Sequence, residues 1–115
     1  MKIAIVGSRH CEAKEQVFHF VAGLAQRDAS IVILSGGAPG VDTWAEQAAK
    51  EYDLQTEIYK ADWDTHGKSA GFIRNTTIVA EADKVVAFWD GKSRGTLDTI
   101  NKAKKAGLSV YIIPV

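Results

Sequence analysis

Five short runs, Ile3–Val6, Ile31–Leu34, Thr56–Tyr59, Val85–Trp89 and Val110–Ile113, are mainly apolar, do not alternate with polar residues, and are separated by stretches of helical period. Unalternating runs of this length mark strands covered on both faces, the condition of a parallel sheet. Between them, Val17, Phe20, Val21 and Leu24 share one helical stripe, and Val41, Trp44, Ala45, Ala48, Ala49 and Tyr52 share a second. Asn75–Ala82 is a shorter candidate. Leu97, Ile100, Ala103 and Ala106 form the last stripe, stopped by Gly107 as a C-cap. This order predicts a Rossmann-like three-layer α/β/α sandwich with a mainly parallel five-stranded sheet and right-handed crossovers, built as one domain over residues 1–115. The connection 60–71 reads as one long loop without periodicity, a length that in a compact domain points to function.

Composition narrows the classes. Hydrophobic residues make up 46% and charged residues 24%, the mix of a globular protein, and the apolar opening is broken at Gly7-Ser8-Arg9 far short of a membrane span. The expectation is a cytoplasmic protein. Fourteen basic side chains balance fourteen acidic ones, so any attraction for phosphate has to be local. An extended nucleic-acid partner is therefore not expected. Cys11 stands alone and His10, His19 and His66 are scattered, which gives no internal disulfide and no metal site.

In an open parallel sheet, ligands bind beyond the carboxyl ends of the strands, so the residues just after each strand are the ones to read. They are Gly7, Ser8 and Arg9; then Ser35, Gly36, Gly37, Gly40, Val41 and Asp42; then the long loop with Trp63, followed by Arg74 and Asn75; then Trp89, Asp90, Ser93, Arg94, Gly95 and Thr96. Three of the four arginines, Arg9, Arg74 and Arg94, fall in these segments, with Arg27 outside. Arginine's planar fork suits phosphate, and glycines let a backbone approach a ligand closely. Two familiar nucleotide motifs are absent. Gly91-Lys92-Ser93 and Gly67-Lys68-Ser69 end like a P-loop, but Val86 and Asp62 stand where its opening glycine belongs, and the first strand's turn lacks the dinucleotide glycine fingerprint. Ser35 lacks a nucleophile elbow.

Taken together, GSR after the first strand, SGGAPGVDTWAE after the second, ADW followed by GKSAGFIRN, and AFWDGKSRGT after the fourth resemble the YspA, YpsA-related branch of the SLOG superfamily. That superfamily is similar in fold to the cytokinin-activating phosphoribohydrolases called LOG and to DNA-processing protein A. The resemblance implies a Rossmann-like fold holding a nucleotide-derived ligand at the strand ends, without a cofactor. Gly95-Thr96 match the close of the LOG glycine turn and Arg74 its arginine. The LOG catalytic glutamate falls on Thr99, with Asp98 about 100° around the helix.

The reading that follows is a module that senses or sequesters an ADP-ribose-like or cyclic nucleotide signal, paired as a homodimer or higher even oligomer. Main-chain amides of Gly36, Gly37, Gly95 and Thr96 are expected to hold phosphate. The alternatives are a nucleoside monophosphate phosphoribohydrolase using Arg74, Asp42 and Asp98, and a single-stranded DNA-binding protein of the DNA-processing A type.

Overall fold

The computed structural model describes residues 1–9 and 12–115; His10 and Cys11, which enter the reading of metal sites and disulfides above, lie outside the described residues. Strands β1 (Lys2–Gly7), β2 (Val32–Ser35), β3 (Gln55–Ile58), β4 (Lys84–Trp89) and β5 (Ser109–Pro114) alternate with helices α1 (Lys14–Arg27), α2 (Val41–Glu51), α3 (Trp63–His66), α4 (Ala70–Glu81) and α5 (Arg94–Lys105). All strand pairings are parallel and the sheet order is β3-β2-β1-β4-β5. The fold is the Rossmann-like α/β arrangement that the apolar runs predict.

Two cores cover the sheet. On one face, Val17 and Val21 of α1 and Val41, Ala45 and Ala48 of α2 pack with Ile3, Ile5, Ile33 and Phe88. On the other, Ile78 and Val79 of α4 and Ile100 and Ala103 of α5 pack with Ala4, Val6, Leu34, Val85 and Ala87. Successive residues of β1 and β4 thus serve opposite cores, which is why those strands are apolar without alternation. Phe88 is fully buried and meets Phe20 edge-on at 6.0 Å between ring centroids. Burying such a ring contributes about 1.5–3 kcal/mol.

Two expectations change. The outer strands β3 and β5 are not covered on both faces: Ile58 is exposed and Tyr111 is 62% exposed. They are edges, and the helices pack mainly over the central three strands. The segment 60–71 is not one loop. It holds α3, a 3₁₀ turn (Gly67–Ser69) and the start of α4. Asp62 begins α3 by accepting from the Thr65 amide, a local N-cap. α4 starts at Ala70, five positions before Asn75, which places Arg74 inside the helix instead of ahead of it.

The order of strands fixes where a site can form. From β1 the chain winds outward through β2 and β3, then returns beside β1 as β4 and winds the other way. Between β1 and β4 the connections diverge, leaving a crevice at the carboxyl ends of those strands. No helix among the described residues is long and apolar enough to cross a membrane.

Candidate functional site

A cleft of about 440 Å³ opens at that point. This volume is in the range of small-ligand sites. Its walls come from the loops after β1, β2 and β4 and from α2, α3, α4 and α5, and they include Gly7, Ser8, Arg9, Gly36, Asp42, Trp63, Arg74, Asn75, Asp90, Ser93, Gly95 and Thr96 from the sequence reading.

Two turns frame the floor. After β1, the Ser8 amide donates to the Phe88 carbonyl at 3.1 Å, and Ser8 Oγ accepts from the Asp90 amide at 3.2 Å, fastening the β1 and β4 loops together. After β2, Gly40 holds φ at +83°, and a Cβ there would lie 2.5 Å from the Arg9 carbonyl oxygen, so this turn requires glycine. It lies directly against the Ser8–Arg9 backbone.

Asp42, in the first turn of α2, is 5% exposed and lies on the cleft wall. Its Oδ2 accepts from the Ala38 amide at 3.2 Å, while its Oδ1 is buried and has no hydrogen-bond partner among the described residues. Burial pushes its pKa up to about 6, against the opposing pull of the Ala38 amide and the Arg74 charge.

Arg74 reaches in from α4. Its Nη1 donates to the Gly36 carbonyl and its Nε to Asn75 Oδ1 at 2.9 Å. Burial lowers its pKa; Asp42 raises it, and the like charge of Arg9 lowers it further. Arg9 and Arg74 thus line one cleft. With Lys68 and Lys92, four cationic side chains line the cleft against the carboxylates of Asp42 and Asp90. A chain of zero net charge thus concentrates positive charge here.

The turn after β4 is shaped from within. Asp90 Oδ1 accepts from the amides of Lys92 and Ser93, both at 2.8 Å, and these bonds hold its pKa below the usual carboxylate range. Ser93 caps α5 by accepting from the Thr96 amide at 3.3 Å. Helix geometry leaves the first amides of α5, those of Arg94 and Gly95, without intrahelical acceptors.

These bonds correct the expected phosphate cradle. The Gly37 amide donates to Ser35 Oγ at 3.2 Å, and the Thr96 amide is taken by Ser93 Oγ at 3.3 Å. That takes two of the four amides expected to hold phosphate.

Several residues from the sequence reading lie off the cleft. Ser35 is fully buried and donates to Glu46 Oε2 at 2.6 Å, turned toward α2. Gly37 faces Ile58 and Lys60, and Val41 is buried beneath Gly7. Trp89 donates from Nε1 to the Ser93 carbonyl at 3.0 Å and packs against the second core, so it braces the turn and offers no stacking face to the cleft. Arg94 starts α5 exposed. Asp98 accepts from Asn75 Nδ2 at 3.2 Å and pairs with Lys102 at 2.8 Å. That engagement ties α4 to α5 and keeps Asp98 off the cleft wall. Thr99, at the LOG glutamate position, lines the cleft with its hydroxyl donated to the Gly95 carbonyl at 3.3 Å.

Sequence reasoning missed Lys68, Lys92, Gly71 and Phe72 on the cleft wall. The lysines belong to the two GKS triplets, so their positions beside helix starts were the available signal. Phe72 is carried into place by the early start of α4.

Comparison with known proteins follows this geometry. Residues 1–66 match the family described as the YspA, cpYpsA-related SLOG family. The chain belongs to that family. Over 116 aligned residues it is 35% identical to the Gene 61 protein of Mycobacterium phage D29, covering 95% of this chain and 93% of that protein. Among solved structures, DNA processing protein A of Streptococcus pneumoniae matches with a TM-score of 0.84 and 26% identity, over 99% of this chain and 50% of the other. The chain thus spans half the length of that protein. DNA processing protein A of Helicobacter pylori, in a structure concerned with its single-stranded DNA binding mode, matches at TM-score 0.80 and 23% identity, over 100% of this chain and 66% of the other. TM1055 matches at 0.79 and 20% identity over 95% of this chain and 71% of the other. The two matches at lower identity speak for the fold alone.

Proposed function

We propose that this SLOG domain binds a nucleotide-derived small molecule, of the AMP or ADP-ribose kind, in the cleft between the β1 and β4 loops. The observation that carries the reading is that Arg9, Lys68, Arg74 and Lys92 all line one cleft, against two carboxylates, in a chain of zero net charge. Like charges held together in a partly buried cleft favour an anion between them. The open amides at the start of α5 add to that attraction. Trp63 and Phe72, 51% and 46% exposed at the rim, offer apolar faces to a base. The cleft volume suits one nucleotide or a nucleoside diphosphate sugar better than a chain of nucleotides.

Calorimetric titration with AMP and ADP-ribose tests this. Saturable 1:1 binding with a shallow salt dependence is expected, since only one or two phosphates are contacted. A single-stranded oligonucleotide that binds tightly with a steep salt slope, while neither nucleotide binds, would favour the other use of this fold. The Helicobacter pylori neighbour keeps that alternative in play and weighs against dismissing nucleic acid on net charge alone.

A second reading, cleavage of the N-glycosidic bond of a nucleoside monophosphate, draws support from Asp42. A carboxyl with its pKa near 6 in a cleft is suited to general acid or base work. The place of the LOG glutamate is held by Thr99, and Asp98 is occupied by Asn75 and Lys102. Binding without turnover is therefore the leading reading. Release of free base from AMP, followed by chromatography, separates the two.

A further inference from the structure

Asn75 is 5% exposed, and its side-chain amide is engaged at both ends by protein. Oδ1 accepts from Arg74 Nε at 2.9 Å, and Nδ2 donates to the Gly95 carbonyl and to Asp98 Oδ2, both at 3.2 Å. The partners admit one orientation of the amide, since a guanidinium N–H can only donate and a carbonyl or carboxylate oxygen can only accept. A flipped amide would set donor against donor at Arg74 and acceptor against acceptor at α5. The side chain thus has little left to offer a ligand. It joins two parts of the cleft wall, Arg74 on α4 and the first turn of α5.

Arg74 is held at two points, Nε on Asn75 and Nη1 on the Gly36 carbonyl. Two fixed nitrogens define the plane of a guanidinium, and with it the direction of the third. Nη2 makes no hydrogen bond to the described residues, and it lies 3.8 Å from where a Cβ on Gly71 would stand, on the cleft wall. Its N–H groups and the open amides at the start of α5 are donors left for an anion, and Asn75 bonds to both carriers. An arginine freed from one of its two tethers regains rotamer freedom, and freezing it again on binding costs affinity.

We infer that Asn75 is a positioning residue of this site, holding Arg74 Nη2 in register with the start of α5 so that one phosphate can meet both. The inference rests on the nucleotide reading of the cleft and gives Asn75, a ligand contact in the sequence reading, a role exercised through Arg74. Asp98 supplies the contrast. It also ties α4 to α5, through Asn75, but makes no bond to Arg74. Bracing of the two helices would suffer in a variant of either residue, whereas the aim of Arg74 would be lost only with Asn75.

Calorimetry with AMP on wild type, Asn75→Ala, Arg74→Ala, the double variant and Asp98→Ala tests this. Asn75→Ala should weaken AMP binding about tenfold, and no more than Arg74→Ala does. Without Arg74 there is nothing to aim, so adding Asn75→Ala to Arg74→Ala should change affinity by less than about twofold. By NMR of the ligand-free protein, the Arg74 Nε–H resonance should exchange slowly in wild type and in Asp98→Ala and be lost to solvent exchange in Asn75→Ala. An equal loss of affinity from Asn75→Ala in both backgrounds would put its side chain on the ligand and overturn the inference. Wild-type affinity in Asn75→Ala, a loss in Asp98→Ala as large as in Asn75→Ala, or an Nε–H resonance that persists in Asn75→Ala would overturn it too. If Asn75→Ala does not fold, Arg74→Lys carries the test: it keeps the charge but has no planar fork for Asn75 to orient, so it should also bind AMP about tenfold more weakly. Wild-type affinity in Arg74→Lys would then overturn the inference. Wild-type protein that binds neither AMP nor ADP-ribose would remove the nucleotide reading itself, and this inference with it.

Discussion

Arg74 Nη1 donates to the carbonyl of Gly36, 38 residues away in sequence, so the second turn of α4 clasps the turn after β2. The bond makes one arginine both a wall of the cleft and a clamp on its floor. Arg74→Ala should weaken AMP or ADP-ribose binding about tenfold to a hundredfold, as expected for losing a charge-assisted contact. It should also lower the melting temperature without ligand, since the Gly36 carbonyl and Asn75 each lose a donor, together worth about 1–3 kcal/mol. Arg27→Ala, at the exposed end of α1, should change neither. Equal affinities for both variants would remove Arg74 from the site.

Gly36→Ala separates clamp from scaffold. The new methyl would crowd the Arg74 guanidinium and the Asp42 carboxylate, both side-chain ends that can give way, so the chain should still fold. Displacing Arg74 should nevertheless cost affinity comparable to Arg74→Ala. Wild-type affinity in a folded Gly36→Ala protein would mean that the position of Arg74 does not matter.

Asp42 makes a pH-dependent prediction about the protein alone. Its pKa rises from the ordinary 3.8 to about 6 on folding, so the folded state holds the proton more tightly than the unfolded chain. Stability conferred by this group is therefore full below pH 3.8, falls as pH rises toward 6, and stays reduced above it. A shift of about two units corresponds to about 3 kcal/mol. Asp42→Asn should accordingly melt several degrees higher than wild type at pH 8 and nearly with it at pH 4. A variant less stable than wild type at pH 8 would show that the Asp42 anion supports the fold through Arg74.

Much of this was legible in the residues, for reasons the structure makes plain. β1 and β4 announce themselves because each side chain on them enters one core or the other, and the order of elements then brings the loops after β1 and β4 together. The start of α4 was not legible. Ser69 gives it no side-chain cap, and the helix runs on directly from a 3₁₀ turn, so Ala70-Gly71-Phe72 carry no local signal of a helix start. α3 did carry one, Asp62 three residues before Thr65, but a four-residue helix has too little periodicity to draw attention to it. The amides of Gly37 and Thr96 look available in sequence because nothing there reveals that Ser35 and Ser93 reach back to them.

Asp98 belongs to the scaffold. Asp98→Ala should leave nucleotide affinity within about twofold and lower stability modestly, by about 0.5–1 kcal/mol, because its partly exposed pair with Lys102 and its bond from Asn75 are lost. A large loss of affinity with an intact fold would return Asp98 to the site.

The most direct test of the central claim is an NMR titration of the ¹⁵N-labelled protein with ADP-ribose. Saturable shifts are predicted for the amides of Ser8, Gly36, Asn75, Gly95 and Thr96, which surround the cleft, with Tyr111 and Ile112 on the far edge strand unmoved. No saturable shift up to millimolar ligand, or shifts confined to the edge strands, would contradict it.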